Sequence, residues 1–345
     1  MNKRTDTAIL TFEHLLELYT RHHNLRPATV RSYRKILDQF LRFTGPALTP
    51  EALTQDTVLA WQDCILGERG RAPQTWNTYL RHMGCLFSWA MEENLVAHTK
   101  SPFSGRQVRE GKKPKKTLTD HQLLRICDEL NTLQEQEEKG SPLTVRRGRR
   151  SAFQPVWFWI TAVHLLMLTG IRRNQLLHIR RQDVEISEEN VTRVLLRREG
   201  SKNHDERWLP LPAELTTELR QLCRKARHEG MPPDSQLFNL AWFTGGMDDM
   251  KVNGMTERQT DSFFYRLSEL CGFRISTHRF RHTLATALMK DPDRNITKVK
   301  ELLGHRSLAS TLAYIEHDAT EIRNMLSHRV QTLREQPRAG KFLLD

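Results

Sequence analysis

The sequence predicts a mainly α-helical chain in two domains, the second an α+β domain with a small β-hairpin or sheet. Three observations carry this. Apolar residues recur at helical spacing along most of the chain. One short region, residues 191–211, holds two β-prone runs around a polar tip. A basic stretch over residues 100–116 interrupts a chain of 345 residues, longer than the ~100–200 typical of one domain.

In the first part, residues 8–99, helices are expected near Phe12 to His22 and Leu53 to Ile65. Between them "PATVRSYRKILDQFLRF" aligns Val30, Tyr33, Ile36, Leu37, Phe40 and Leu41, with Pro27 suited to a first helical turn. Arg31, Arg34 and Lys35 fall on the exposed side. A fourth pattern, Trp76, Tyr79, Leu80, Met83, Leu86, Phe87 and Ala90, follows the turn-like "ERGRAP" and carries Arg81 among its polar residues. The four make one helical domain.

The stretch 100–116, "KSPFSGRQVREGKKPKK", carries seven Lys and Arg, among them Lys112, Lys113, Lys115 and Lys116, against the single acid Glu110. Its composition reads as a linker, either a solvated tether or a segment lying along a phosphate backbone.

The second domain is expected over residues 117–327. In "TLTDHQ", Thr119 and Gln122 have capping-box spacing and open a helix through Leu130. The polar residues 131–150 read as a loop excursion ending in a basic knot. "VWFWITAVHLLMLTG" is apolar on all sides, as a central buried helix should be. After the hairpin, helices are expected at about Glu257 to Leu270, Thr277 to Met289, Ile296 to Leu303 and Leu308 to Ile315. The tail, residues 328–345, is polar and ends in "FLLD", a short apolar plug suited to another surface.

Lys and Arg number 53 against 41 Asp and Glu, a formal net charge of +12, which favours a polyanionic partner, nucleic acid first. No apolar leader follows "MNKRTDTAIL", and the longest apolar run, "FQPVWFWITAVHLLMLTG", is too short and too interrupted by His164 to span a bilayer. No membrane partner is expected. The five cysteines are scattered and form no C-x-x-C pair, so neither a zinc knuckle nor a disulfide framework is indicated, and the chain reads as reduced and intracellular.

The chemistry concentrates in four places. "THRFRHTLAT" puts His278, Arg281 and His282 at i, i+3 and i+4, on one helical face beside apolar Leu284, Ala285, Leu288 and Met289. Like charges stacked this way repel unless an anion sits among them, so the face suits a phosphate. In "TGIRRNQLL", Arg172 follows Gly170 where a buried helix ends, and its planar fork can bind two phosphate oxygens. Lys202 stands at the hairpin tip, "GSKN". "ELLGHRSLASTLAYIEHD" gives His305 after Gly304, which permits a tight turn, and then Tyr314 on a stripe with Leu308 and Leu312. The H-x-x-x-H at 278 and 282 invites a zinc reading, but a metalloprotease-like helix needs a glutamate where this chain has Arg279. No metal is expected.

T-G-x-R at 169–172, the hairpin lysine at 202, H-x-x-R-H at 278–282, L-L-G-H at 302–305 and the tyrosine at 314 resemble, in order and rough spacing, the tyrosine recombinases, the phage-integrase-type site-specific recombinases. The resemblance covers 117–320 by motif; the helical domain ahead is similar, less specifically, to the family's core-binding domain. It implies DNA cleavage and rejoining without metal, nucleotide or other cofactor. Tyr314 would be the nucleophile, leaving a 3′-phosphotyrosyl link and a free 5′-hydroxyl. Arg172 and Arg281 would clamp the nonbridging oxygens, and Lys202 would protonate the departing 5′-oxygen. His278 and His305 would hydrogen-bond the phosphate and assist proton transfer, His278 toward Tyr314, with His282 a supporting phosphate contact.

The resemblance further implies a homo-tetramer on synapsed double-stranded DNA, a Holliday junction, and integration, excision, inversion or resolution of a mobile element. Accessory DNA-bending or directionality proteins, a tail that docks on a neighbouring subunit, and a nucleoid-associated location in a bacterial or phage-infected cytoplasm belong to the same expectation. Arg31, Arg34, Lys35, Arg81, Lys112, Lys113, Lys115 and Lys116 are expected to contact mainly phosphates. One departure is Gln175, where the family usually has an acid. A DNA-binding regulator would share the charge but would not need Tyr314 with the Arg/His set. A type IB topoisomerase-like enzyme would share the chemistry on a single duplex.

Overall fold

The computed structural model describes residues 9–111, 115–140, 143, 151–187, 192–201, 205–291 and 295–314. The chain divides between residues 113 and 114 into two compact units, each with its own core.

The first unit contains α1 (Phe12–His22), α2 (Pro27–Thr44), α3 (Gln55–Asp63), which continues as a π-helical turn over Cys64–Glu68, and α4 (Pro73–Glu92). The hydroxyls of Thr11 and Thr54 cap α1 and α3 by accepting from the N–H groups of His14 and Thr57, and Pro27 and Pro73 stand in first turns where no N–H is needed. Phe12, Phe40, Trp61, Trp76 and Phe87 are fully buried, with Phe12 on Phe40 and Trp61 on Trp76 each edge to face at 5.3 Å. Arg31, Arg34, Lys35 and Arg81 are exposed on α2 and α4.

The first half of the basic stretch is pinned to this unit. Phe103 is buried in the aromatic core. The Trp76 indole donates to the Arg106 carbonyl at 2.8 Å, and the Asn77 amide both accepts from the Val108 N–H at 3.0 Å and donates to its carbonyl at 2.7 Å. Lys112 and Lys113 lie outside the described residues, and Lys115 and Lys116 are exposed at the start of the second unit.

The second unit contains α5 (Asp120–Glu138), α6 (Val156–Thr169), α7 (Arg173–Leu176), an antiparallel sheet of β1 (Val184–Ile186), β2 (Thr192–Leu196) and β3 (Arg207–Leu211), then α8 (Glu214–His228), α9 (Asp248–Asn253), α10 (Glu257–Cys271), α11 (Thr277–Lys290), α12 (Ile296–Leu303) and α13 (Leu308–Leu312). The fold class is therefore mainly α with a small sheet, as the sequence predicts. In the sheet Val194 pairs with both Val184 and Leu209, and Val194, Leu196 and Leu209 point into the core.

Thr119 and Gln122 form the expected capping box. The helix they start runs two turns beyond Leu130, to Glu138, so residues 131–138 are helix and not loop. Leu133 is buried there, and the surrounding Gln and Glu are good helix formers on an exposed face. α6 is buried on nearly every side, with Trp159 stacked on Phe263 at 3.9 Å. β1 and α8 were not expected. α8 did carry a readable signal, since Leu215, Leu219, Leu222, Cys223 and Ala226 fall at helical spacing and are all buried.

Among the described residues no helix is long and apolar enough to cross a membrane. A small separate apolar cluster, Ala285, Met289, Val299, Leu303 and Tyr314, joins α11 to α12 and floors the site.

Candidate active site

Three helix ends converge. α6 ends at Gly170 in the left-handed conformation, φ +62°, and a Cβ there would come within 3.1 Å of Leu284 on α11. α11 starts on the Ser276 cap, whose hydroxyl accepts from the Arg279 N–H. α12 ends at Gly304, φ +60°. Glycine at these two ends lets Arg172 and His305 leave their helices toward the same face of α11.

Arg281 occupies the junction and is only 4% exposed. Its guanidinium donates to the Gly170 carbonyl at 2.8 Å, the Leu303 carbonyl at 2.5 Å and Nε2 of His305 at 2.9 Å. Arginine only donates, so Nε2 of His305 accepts and its ring proton sits on Nδ1, which donates to Oγ1 of Thr311 at 2.9 Å. The imidazole is neutral: partial burial, then Arg281, Arg172 and Lys115, push its pKa down to about 4. Burial, and after it Arg172, lowers Arg281 to about 10, which leaves it charged at neutral pH.

The Tyr314 hydroxyl lies 2.9 Å from Nδ1 of His282. The His305 ring is parallel to the phenol with centroids 5.9 Å apart, and Nζ of Lys115 stands 5.5 Å from the phenol centroid. Burial raises the Tyr314 pKa, opposed by the charges of Arg281 and Arg172. His282 is driven down to about 4 by burial, then by Lys115, His278 and Arg281.

Two expectations differ from this arrangement. His278 is exposed, its ring 6.3 Å from that of His282, so the histidine touching Tyr314 is His282. Tyr314 also does not share a stripe with Leu308 and Leu312, which are 46% and 40% exposed. α13 stops at Leu312, and the turn after it swings Tyr314 into the cluster with Met289 and Leu303.

Arg172 stands at the head of α7, half-buried. Its backbone N–H donates to Oε1 of Gln175 at 2.9 Å. Gln175 is buried, and its Nε2 donates to Oγ of Ser201 at 3.3 Å. Asn174 donates to the Gly200 carbonyl at 3.0 Å, and a Cβ on Gly200 would come within 3.0 Å of the Asn174 carbonyl. The hairpin is thus tied to α7 at the residue before Lys202, which itself lies outside the described residues.

A cavity of about 300 Å³ opens here, lined by Arg172, Gln175, Ser201, Arg207, Lys300 and His305. Among the site residues, Arg207, Thr311, Ser201 and Lys300 were not anticipated from the sequence, and Lys115 was placed in the linker. Burial and then Arg172 lower the Arg207 pKa, and Arg207 in turn contributes to lowering Arg281. Arg172, Arg207 and Arg306 line this cavity, an environment for an anion carrying more than one charge-bearing oxygen.

Residues 116–321 match the phage integrase family. The chain belongs to that family. A Pseudomonas aeruginosa protein assigned as tyrosine recombinase XerC is 34% identical over 93% of this chain and 72% of its own length. A Pseudomonas syringae counterpart is 32% identical, over 93% of this chain and 65% of its own length. Among solved structures, the Tn1549 transposon integrase in complex with circular intermediate DNA superposes with a TM-score of 0.65 at 17% identity, covering 92% of this chain and 99% of that one. The XerH recombinase bound to a palindromic difH substrate gives 0.64 at 17% identity, over 91% and 84%. These last two are likenesses of fold. This tyrosine recombinase carries Gln175 where the family usually has an acid, and the amide both accepts from Arg172 and donates to Ser201.

Proposed function

We propose that this recombinase cleaves and rejoins double-stranded DNA at specific recombination sites, with Tyr314 as the nucleophile. The observation that carries the reading is the Tyr314 hydroxyl on Nδ1 of His282, in the field of Arg172 and Arg281. A phenol with an ordinary pKa of about 10 needs both a proton acceptor and nearby positive charge to attack at neutral pH.

In this reading Tyr314 gives its proton to His282 and attacks the scissile phosphorus. The bond from phosphorus to the 5′-oxygen breaks, and Lys202 protonates that oxygen. The product is a 3′-phosphotyrosyl link and a free 5′-hydroxyl. Arg172 and Arg281 stabilise charge that grows on the nonbridging oxygens. Burial and then nearby cations hold His282 and His305 neutral; an arriving phosphate offsets the cationic part, which favours proton uptake by His282 in the complex. A 5′-hydroxyl from a partner duplex reverses the step, and no cofactor is consumed.

Arg31, Arg34, Lys35 and Arg81, exposed on the first unit, would hold phosphates on the duplex, with the lysines around residue 115 extending that contact. A synaptic homo-tetramer, exchange through a Holliday junction and docking of residues 328–345 on a neighbouring subunit complete the proposal. The solved DNA complexes of the Tn1549 integrase and XerH support DNA as the partner.

The test is covalent trapping on short duplexes nicked so that the cleaved end diffuses away. Wild type should give a protein–DNA band on a denaturing gel and Tyr314→Phe none, with equal shifts on a native gel. A band that persists in Tyr314→Phe would remove Tyr314 from the role. Binding without any band, in both proteins, would favour a non-catalytic DNA-binding regulator.

A further inference from the structure

We propose that Arg207 is a positioning residue of the strand-transfer reaction: from β3 it holds the turn that presents His305. The inference rests on the reading above, in which His305 serves a phosphate at this site.

The last carbonyls of a helix have no partner within it and carry its negative end. In α12 two consecutive ones are taken by guanidinium groups from different elements. Nη2 of Arg207, on β3, donates to the Leu302 carbonyl at 2.7 Å, and Nη2 of Arg281, on α11, donates to the Leu303 carbonyl. The next residue is Gly304. A Cβ built on it would come within 3.3 Å of Nε and Nη2 of Arg207, so the guanidinium lies against the turn itself. The glycine suits φ +60°, and it leaves room for this close approach. His305 follows, and both of its ring nitrogens are engaged. The turn is held from the sheet side by Arg207 and from the helix side by Arg281.

Arg207 is also the residue at which the hairpin closes, paired with Leu196 at the end of β2. The residues between those two include Lys202. One side chain thus links the root of the lysine-bearing tip to the turn that carries His305. Its place is electrostatically unfavourable, half-buried beside Arg172, with Glu301 the opposing charge. Its bond to the Leu302 carbonyl gives the guanidinium a partner in that place.

The experiment is a double-mutant cycle. Rates of covalent adduct formation on a nicked duplex are measured for Arg207→Ala and Arg207→Gln, each in the wild-type and the His305→Ala backgrounds. Loss of a hydrogen bond from a charged donor should slow wild type by about tenfold to a hundredfold in Arg207→Ala. In the His305→Ala background the same change should cost less than about threefold, because the two act through one group. Arg207→Gln, which can still donate to the Leu302 carbonyl, should keep more activity than Arg207→Ala. Penalties that multiply, or Gln no better than Ala, would overturn positioning in favour of direct charge on the phosphate. A readout independent of activity is the ¹⁵N spectrum of the His305 ring, which should show the Nδ1–H tautomer in wild type and a tautomer mixture in Arg207→Ala. An unchanged tautomer would also overturn the proposal. If wild type forms no adduct, the reading of the site fails, and the ring spectrum still decides the role of Arg207.

Discussion

The Tyr314 hydroxyl meets Nδ1 of His282 at 2.9 Å, while His278, one helical turn earlier on the same face, is left exposed. Both imidazoles point the same way from α11, but only the deeper one reaches the phenol. The turn after α13 delivers Tyr314 to the second histidine of the H-x-x-R-H motif and not to the first.

His282→Ala is therefore expected to slow adduct formation by about 10²-fold to 10⁴-fold, the usual range for a general base, whereas His278→Ala should cost about tenfold or less. Single-turnover cleavage on nicked duplexes measures both. Equal losses would move the proton path away from His282.

Gln175→Leu preserves volume but leaves the Arg172 N–H without its side-chain acceptor and removes the amide's bond to Ser201. It should destabilise the protein by about 1–3 kcal/mol in urea melts, the cost of a buried N–H left unpaired. Gln175→Glu keeps an acceptor for the Arg172 N–H, so it should retain most of the stability that Gln175→Leu loses.

Lys115 is among the cations that depress both His282 and His305. Removing a positive neighbour favours the imidazolium, so Lys115→Ala should raise the titration midpoints of both rings. Histidine NMR titrations of the free protein would show it, and midpoints unmoved by the substitution would place Lys115 outside the site.

Stability should fall on both sides of neutrality, for different residues. His282 and His305 have folded values near 4, below the ordinary 6.5, so the unfolded chain binds more protons between those limits and stability is lost as pH falls from about 6.5 toward 4. His164 is raised to about 9 by its hydrogen bonds to Cys127 and then Glu218, so its contribution is complete below 6.5 and disappears as pH rises toward 9. Solvent screening of these half-buried groups keeps each limb modest. Urea melts across pH should show both, with Glu218→Gln weakening only the alkaline limb.

The motifs were legible where local backbone fixes the side chain. Gly170 and Gly304 mark helix ends by their own chemistry, so the residues that follow them could be aimed from sequence, and the spacing of His278, Arg281 and His282 alone gives one face. Arg207 was not legible, because its meaning comes from a carbonyl 95 residues away. Lys115 looked like one more linker charge, and nothing in "KKPKK" tells which lysine lies over a distant phenol. The choice between His278 and His282 required the depth of α11 in the fold. The helical extension of α5 was masked by its polarity, although its residues favour helix and Leu133 faces the core.

Arg281 binds the ends of α6 and α12 to the second turn of α11 through two backbone carbonyls, like the keystone of an arch. Removing it takes the arch apart as well as the charge. An inactive Arg281 variant would therefore report on architecture and chemistry together, and the two losses would be inseparable in any assay of turnover. Tyr314→Phe removes one oxygen and leaves the ring in its apolar seat, which makes it the cleaner silent partner for assembling a complex that stops before cleavage.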